Sequence, residues 1–325
     1  MALRATNNRE ENAPAAIFRV RRGGKQAAGS HNGLGVRLLS TLILFLLTLS
    51  GLGHSTWNAI SKTIPERDAF FTLITMSAVV LYLPLAVFLL QRDSIPPQAW
   101  LFALGSVSFE VIYFLVLAKA YRMAPLITVY PIARGTSPVL AMLFGFVFTS
   151  MTITPLGLTG IVMIALGIFF VNQPRLNFTQ MKSAFANQGA FYALLTGACT
   201  AIYSVFDWFG AHVMSGILFI YIVYIGIALG KLAADRILLP PVSYIGLLRR
   251  HPLKTLIGGT LAFSVNAIVL YSMQTTPVAY VTAVREVGIL FTAIIGVVWL
   301  KERMTLPKAL SVIAIVAGMF LIKFA

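Results

Sequence analysis

Five ionisable side chains lie inside long apolar segments of this chain: Glu110, Arg134, Asp207, Arg285 and Glu286. A charge near the centre of a bilayer costs about 2.5–3.5 kcal/mol on insertion scales, so each of these residues is expected to face a cavity or a partner. A guanidinium binds carboxylates and phosphates through paired hydrogen bonds, and a carboxylate can carry a proton. The chemistry that these residue types predict is anion binding and proton movement.

The two arginines occupy equivalent positions in a repeated sequence. Residues 125–167 and 277–318 align as two copies of one helical hairpin, and a constant offset of 151 places Arg134 on Arg285. Two guanidinium groups on related helices can clamp a carboxylate, a phosphate or a phosphonate. The alternative is that the arginines pair with acidic residues and only brace the helices.

The immediate neighbours of the two arginines differ. Arg134 follows Pro131 by three residues and precedes Gly135, which predicts a bend in that helix. Glu286 follows Arg285 directly and points about 100° away from it around the helix. It therefore cannot neutralise Arg285 on the same helix face, although it is itself a candidate for proton coupling.

The two remaining carboxylates carry different predictions. Glu110 lies in mid-span with Tyr113 and Phe114 on the same helix face, which predicts a substrate or proton site. A fixed ion pair with Arg134 is the alternative for Glu110. Asp207 lies near the end of its span, where we expect it to extend toward the headgroups, with a place in the cavity mouth and a role in proton coupling as the alternative.

Membrane-spanning helices must position these side chains. Hydrophobic residues make up 58% of the 325 residues, charged residues 11%, and the mean hydropathy is +0.85, which indicates a polytopic membrane protein. Apolar segments of about 18 to 24 residues suit helices that cross about 30 Å of hydrocarbon. We predict ten spans, at residues 38–60, 69–90, 98–120, 126–149, 155–172, 189–210, 216–235, 253–273, 278–300 and 305–324.

The longest break between spans divides the chain into halves of five spans. Because five is odd, the second half enters the membrane in the opposite sense, so the predicted fold class is an all-α membrane protein of ten transmembrane helices in two inverted five-helix repeats. The predicted domains are a disordered basic tail at 1–37, a first repeat at 38–172 and a second repeat at 189–324.

Small residues recur at helix-packing intervals in spans five and ten. We predict that they allow close contact within the bundle, with a homodimer interface as the alternative. They are Gly157, Gly160, Gly167, Ala309, Ala314, Ala317 and Gly318.

The net charge of +15 arises mainly from Lys and Arg in the tail and the loops. Anionic lipid headgroups account for their placement, so we predict no nucleic-acid partner. The side of the N-terminus carries nine such residues and the opposite side fourteen, Lys231 among them. That count opposes a cytoplasmic N-terminus.

Several functional classes lack their signatures here. The sequence has no G-x-x-x-x-G-K-[ST] loop, so transport energy must come from a gradient or a partner. The single cysteine, Cys199, rules out an internal disulfide and a cysteine-based metal site. A polytopic enzyme would need paired carboxylates, H-E-x-x-H or a Ser/His arrangement at one depth, and we find none. We therefore predict no enzyme, no cofactor and no metal.

Three short motifs resemble the EamA-like family of the drug/metabolite transporter superfamily. They are Tyr121–Pro125, Val129–Gly135 and Leu300–Thr305, the last preceding a glycine-containing final span. The first copy departs from the family pattern, because its segment around Ser150 has no acidic residue corresponding to Glu302 of the second copy. We therefore predict no symmetric role for that interfacial acid.

The resemblance implies a ten-helix inverted-repeat carrier with both termini cytoplasmic, in a bacterial inner membrane. It also implies a central cavity lined mainly by spans one, three, four, six, eight and nine. On that basis the lining of span one includes His54, Trp57 and Asn58, with His54 either a packing residue or a proton relay. The other polar candidates are Tyr130 in span four and Asn266 in span eight.

These observations favour a secondary transporter of a small organic metabolite. The double arginine indicates an anionic or zwitterionic substrate, moved by alternating access with a carboxylate available for proton coupling. Two alternatives use the same fold: a multidrug or cation exporter, which would show a dominant acidic cavity, and a noncatalytic subunit of a lipid-carrier flippase.

Overall fold

The described part of the chain is helical and contains no β-strand. The computed structural model describes residues 40–124, 126–149, 151–170, 188–238, 240–291 and 305–325. The predicted tail at 1–37 and the pair Ser150 and Glu302 lie outside these residues. The helices are α1 (Thr41–Lys62), α2 (Arg67–Leu90), α3 (Pro97–Met123), α4 (Leu126–Phe148), α5 (Pro155–Phe170), α6 (Gln188–Val213), α7 (Gly216–Leu238), α8 (Tyr244–Arg250), α9 (Pro252–Met273), α10 (Val278–Arg285) and α11 (Leu306–Lys323).

The helices follow the predicted spans closely, with two differences. The short helix α8 was not predicted, and it lies between two long helices. The predicted span 278–300 begins as α10, which ends at Arg285, and residues 292–304 lie outside the described part. Seven of the described helices are long and apolar enough to cross a membrane, namely α2, α3, α4, α6, α7, α9 and α11.

Prolines mark the start of several helices. Pro97, Pro155, Pro252 and Pro307 each stand at the first or second position of their helix. The first turn of a helix has no intrahelical acceptor for its N–H groups, so a residue without an N–H begins a helix at no cost.

Helices of the first half pack mainly on helices of the second half. α3 packs along α6, and α1 packs along α9; α4 contacts both α6 and α10, and α1 also contacts α10. α5 and α11 pack on each other. Each of these contacts has a counterpart when the halves are exchanged, which is what a duplicated sequence predicts.

Two of the predicted packing glycines, Gly160 and Gly318, contact each other within the same chain. A Cβ atom on Gly160 would lie 2.6 Å from the carbonyl oxygen of Gly318, and one on Gly318 would lie 2.7 Å from that of Gly160. The backbones of α5 and α11 therefore meet directly, which only small residues permit. A homodimer remains a prediction.

The outward faces of the helices carry large apolar side chains. Val80, Phe146, Val147 and Leu229 each expose more than half of their surface, at 70%, 68%, 69% and 63%. Such surfaces are typical of contact with lipid and not with water.

Candidate functional site

An ion pair joins the two halves of the chain at the predicted arginine positions. Nη1 of Arg134 in α4 donates a hydrogen bond to Oε1 of Glu286 over 3.1 Å. The Glu286 side chain is 7% exposed and that of Arg134 is 21% exposed. Removing either charge would leave the other uncompensated in the membrane interior. Arg134 thus pairs with the acid beside the other arginine, and the alternative pairing with Glu110 is wrong.

Arg134 also contacts His54 of α1. Nη2 of Arg134 lies 3.1 Å from Nε2 of His54. A guanidinium has only donors, so Nε2 accepts and the proton of the neutral ring is on Nδ1. Nδ1 is buried and has no hydrogen-bond partner among the described residues. The predicted position of His54 beside the site is consistent with this geometry.

Arg285 lies at the same site and forms no ion pair with the residues that the structure describes. Together with His54, Tyr130, Arg134 and Glu286 it lines a cavity of about 20 Å³. That volume admits about one water molecule, so a larger ligand requires the helices to separate. Nε of Arg285 is buried without a hydrogen-bond partner, and no hydrogen bond or salt bridge of this side chain occurs within the described ranges.

The helix that carries Arg285 is interrupted beside it. Glu286 and Val287 form a turn between α10 and a further helical segment that begins at Gly288. The N–H groups of Glu286 and Val287 bond to carbonyls three residues back, which tightens the chain there. In the first copy, α4 continues as one helix from Leu126 to Phe148 through both of its prolines. The interruption therefore lies in the copy where no bend was predicted.

α1 crosses directly over this interruption. A Cβ atom on Gly51 would lie 2.8 Å from the Gly288 nitrogen, so the two backbones are in contact. Oγ of Ser55 donates a hydrogen bond to the Gly288 carbonyl oxygen over 2.6 Å. None of these three residues was predicted from the sequence. A glycine or a serine can be assigned to such a contact only when it is known which distant segments cross.

The carboxylates of Glu110 and Asp207 lie where α3 meets α6. Asp207 is 5% exposed and accepts a hydrogen bond from Oγ of Ser106 over 2.6 Å. The prediction that Asp207 extends to the headgroups is wrong, because α3 covers it and supplies a donor. Glu110, one turn after Ser106, has no hydrogen bond or ion pair within the described part; its charged neighbours are Asp207, Arg285 and Lys231.

Two of the predicted aromatic residues lie at the cavity or next to it. Tyr130 lines the cavity, with its ring centroid 5.9 Å from Cζ of Arg134. Trp57 packs edge-on against His54, with ring centroids 5.1 Å apart. Nε1 of Trp57 is a further buried donor without a hydrogen-bond partner among the described residues.

Three other predicted residues do not line this cavity. Nδ2 of Asn58 donates to the backbone oxygen of His54 over 2.9 Å, so the two side chains do not pair. Nδ2 of Asn266 donates to the Tyr224 hydroxyl over 2.8 Å and to a backbone carbonyl of its own helix. The Tyr113 ring packs edge-on against Tyr203, with centroids 6.2 Å apart.

A second polar cluster lies at the end of α7. Lys231, which was counted as a loop residue, is only 7% exposed, and its Nζ lies 4.4 Å from the centroid of the Phe114 ring. Asp235, one turn later, accepts hydrogen bonds from Thr72 over 2.5 Å and from Tyr244 over 2.8 Å. Burial and the bond to Asp235 raise the pKa of Tyr244 to about 12. The spacing of four residues between Lys231 and Asp235 places them on one helix face and could have predicted this cluster.

The site contains hydrogen-bond donors suited to an anion and side chains that can carry a proton. Within the described ranges, no group of three His, Cys, Asp or Glu side chains is arranged to hold a metal ion. The cavity brings together two guanidinium groups, one carboxylate and one imidazole. Guanidinium groups can bind an anionic group, and an imidazole can accept or release a proton.

Comparisons with known proteins agree with this architecture. The model of the EamA-like transporter family matches residues 41–173 and 187–324. A solved crystal structure is similar in fold, with a TM-score of 0.63 and 18% identity, covering 86% of this chain and 95% of the other. The comparison with curated proteins gave no match. Because the family model covers most of the sequence in two consecutive matches, this multi-pass membrane protein belongs to the EamA-like transporter family.

Proposed function

We propose that this protein is a secondary transporter of a small organic anion or zwitterion. The observation that carries the proposal is Arg285, a guanidinium at a cavity shared by both halves of the chain, with a buried Nε that has no hydrogen-bond partner among the described residues. A desolvated cation of this kind is costly unless a ligand compensates it during the transport cycle.

The charges around the cavity support a substrate with one negative group. Its described lining contains the cations Arg134 and Arg285 and the single carboxylate of Glu286. Arg134 forms an ion pair with Glu286, so among the described lining residues the positive charge of Arg285 has no ion-pair partner. A carboxylate or a phosphate monoester fits the planar fork of that guanidinium.

The helix pairing supports alternating access. The contacts between α3 and α6 have their counterpart between α1 and α9, as expected for ten spans in two inverted repeats. The cavity lies where α1, α4 and the turn after α10 meet, so it can open when one half moves relative to the other. Both termini on the cytoplasmic side of a bacterial inner membrane, and the absence of catalysis, complete the proposal.

Flux measurements with purified protein in liposomes test this proposal. A panel of labelled amino acids, organic phosphates and lipophilic cations is screened with and without a pH gradient. We expect flux of an anionic or zwitterionic compound, lost in Arg285→Gln. Arg250→Gln is the matched control, because Arg250 is an exposed arginine that pairs with Glu66 at the membrane surface.

The remaining outcomes overturn the proposal in different ways. Flux of lipophilic cations alone would identify a cation exporter. Absence of any flux would favour a noncatalytic subunit of a lipid-carrier flippase. Anion flux that is unchanged both in Arg285→Gln and in the double variant Arg134→Gln/Glu286→Gln would show that the arginines do not contact the substrate.

A further inference from the structure

Two buried N–H groups of α1 have no hydrogen-bond partner among the described residues. They are Nδ1 of His54 and Nε1 of Trp57. The two residues are three apart on one helix and lie on the same face, with their rings edge-on and the centroids 5.1 Å apart. An edge-on ring contact is much weaker than a hydrogen bond to oxygen. Buried donors without a partner are rare, so an acceptor other than a described residue is expected for each.

His54 can only donate from Nδ1. Its other ring nitrogen, Nε2, lies 3.1 Å from Nη2 of Arg134, and a guanidinium offers donors alone. Nε2 therefore accepts, and the ring proton stays on Nδ1. This donor matches a hydroxyl or carbonyl oxygen, which has lone pairs, and does not match an ammonium group, which has none.

The crossing of α1 places this donor beside Arg285. His54 and Arg285 line the same cavity, whose volume is about 20 Å³. One turn before His54, a Cβ atom on Gly51 would lie 3.2 Å from the Arg285 carbonyl oxygen, so the two backbones are in contact. One residue after His54, the Ser55 hydroxyl donates to the Gly288 carbonyl oxygen over 2.6 Å. A ligand that reaches both His54 and Arg285 therefore needs its acceptor oxygen within a few bonds of its anionic group.

We infer that His54 donates from Nδ1 to an oxygen of the substrate and thereby selects anions that carry a hydroxyl or carbonyl oxygen close to the anionic group. Hydroxy acids, oxo acids and phosphorylated polyols have this arrangement. Trp57 supplies a second donor on the same face of α1. The inference rests on the proposed function and narrows it, because an amino acid carries an ammonium group in place of that oxygen.

Two matched pairs of probes test this selection. Lactate differs from propionate, and glycerol phosphate from propyl phosphate, only in hydroxyl groups. Alanine has the carbon skeleton of lactate with an ammonium group in place of the hydroxyl. Each probe is titrated separately against the purified protein. A buried donor disfavours an analogue that lacks the acceptor, so we expect the wild-type protein to bind the hydroxylated member of at least one pair about tenfold more tightly. Alanine should bind no better than propionate.

His54→Gln keeps one contact of the histidine and removes the other. The glutamine amide oxygen can accept from Arg134 where Nε2 did, but no nitrogen stands at the Nδ1 position. We expect the affinity ratio within a pair to fall about tenfold, to near one. Because the readout is a ratio within one variant, a general loss of affinity does not change it. His212→Gln is the matched control, since Nδ1 of His212 contacts the Trp208 carbonyl oxygen of its own helix over 2.7 Å.

Trp57→Phe removes the second donor and keeps an aromatic ring against His54. We expect the affinity ratio to fall less than in His54→Gln, by about two- to fivefold. Trp100→Phe is the matched control, because the Trp100 side chain is 56% exposed on the outer face of α3. An unchanged ratio in Trp57→Phe would overturn the role of Trp57.

Failure of this inference is distinguishable from failure of the proposed function. If no anion of the liposome panel shows flux, anion transport itself is overturned. If an anion is transported, but the wild-type protein binds both members of each pair equally or binds none of these probes, the selection by His54 is overturned. An unchanged ratio in His54→Gln overturns it as well. If His54→Gln binds no probe, His54→Asn decides, because its amide nitrogen can replace Nδ1: a retained preference supports the inference, and equal binding overturns it.

Discussion

Arg134 and Arg285 stand at equivalent positions of a duplicated hairpin, yet their surroundings differ. Arg134 is carried by the continuous helix α4 and binds both Glu286 and His54. Arg285 ends the short helix α10, next to a turn, and its Nε has no hydrogen-bond partner in the described part of the chain. Arg134 links the two halves of the chain, whereas Arg285 is the arginine that we propose for ligand binding.

The difference comes from one residue of the repeat. The position after Arg134 is Gly135, and the equivalent position after Arg285 is Glu286. The acid of the second copy reaches across to the arginine of the first copy, and its own neighbour Arg285 forms no ion pair with a described residue. Duplication alone would give both arginines the same surroundings; with the single acid, Arg134 is structural and Arg285 is the arginine that we propose binds the substrate.

The largest expected effect is on stability, at the structural arginine. Arg134→Gln leaves Glu286 as a buried, unpaired charge, and losing one partner of a buried pair costs about 3–5 kcal/mol. Arg134→Gln/Glu286→Gln removes both charges and should recover most of that loss. Reversible unfolding in detergent micelles measures both variants. Equal losses in the single and double variants would contradict the assignment of the ion pair.

The next effect is on binding, at the functional arginine. Arg285→Gln should leave the free energy of unfolding nearly unchanged, because no protein group among the described residues hydrogen-bonds to its Nε. Anion affinity should fall by about 10- to 100-fold, corresponding to the loss of a charged hydrogen bond worth about 1.5–3 kcal/mol. Titration of the purified protein with an anion that shows flux measures this. A large loss of stability with unchanged anion affinity would show that Arg285 is a structural residue and does not bind the anion.

A smaller effect should follow from disturbing the interruption beside Arg285. Gly288→Ala places a Cβ atom 2.7 Å from the Gly51 carbonyl oxygen, so α1 and the turn must move apart. Overpacking of this kind costs about 1–3 kcal/mol, and we expect anion exchange to slow as well. Gly246→Ala in α8 is the control, since its Cβ atom would meet only the Ser243 side chain. Wild-type stability and exchange in Gly288→Ala would show that the crossing does not hold the turn.

The smallest effect concerns the ion pair at the surface. Arg250 donates to Glu66 over 2.7 Å, with 56% and 30% of the side chains exposed, and this hydrogen bond lowers the pKa of Glu66. A lowered carboxylate pKa stabilises the folded state at neutral pH, and the contribution is lost as the pH falls through the folded pKa. Solvent screening keeps it small. Unfolding of wild type and Glu66→Gln should therefore differ slightly at neutral pH and converge in acid.

The sequence predicted the helices and the equivalence of the two arginines, but not the residues that the charged side chains contact. The apolar segments, the duplication and the equivalence of Arg134 and Arg285 are patterns along the chain. Asp207 and Lys231 were misplaced, because their positions near helix ends suggested exposure, whereas α3 covers both of them. Hydropathy describes one segment at a time and carries no information about which neighbour covers it.

The sequence by itself determined that this is a helical membrane protein of duplicated design with two related arginines, because hydropathy and repetition are linear properties. Only the tertiary structure decided which acid meets which base. Arg134 and Glu286 are 152 residues apart, and Ser106 and Asp207 are 101 apart. Contacts over such separations depend on how whole helices pack. In a membrane, a buried charge or donor can pair only with groups on the helices that pack beside it.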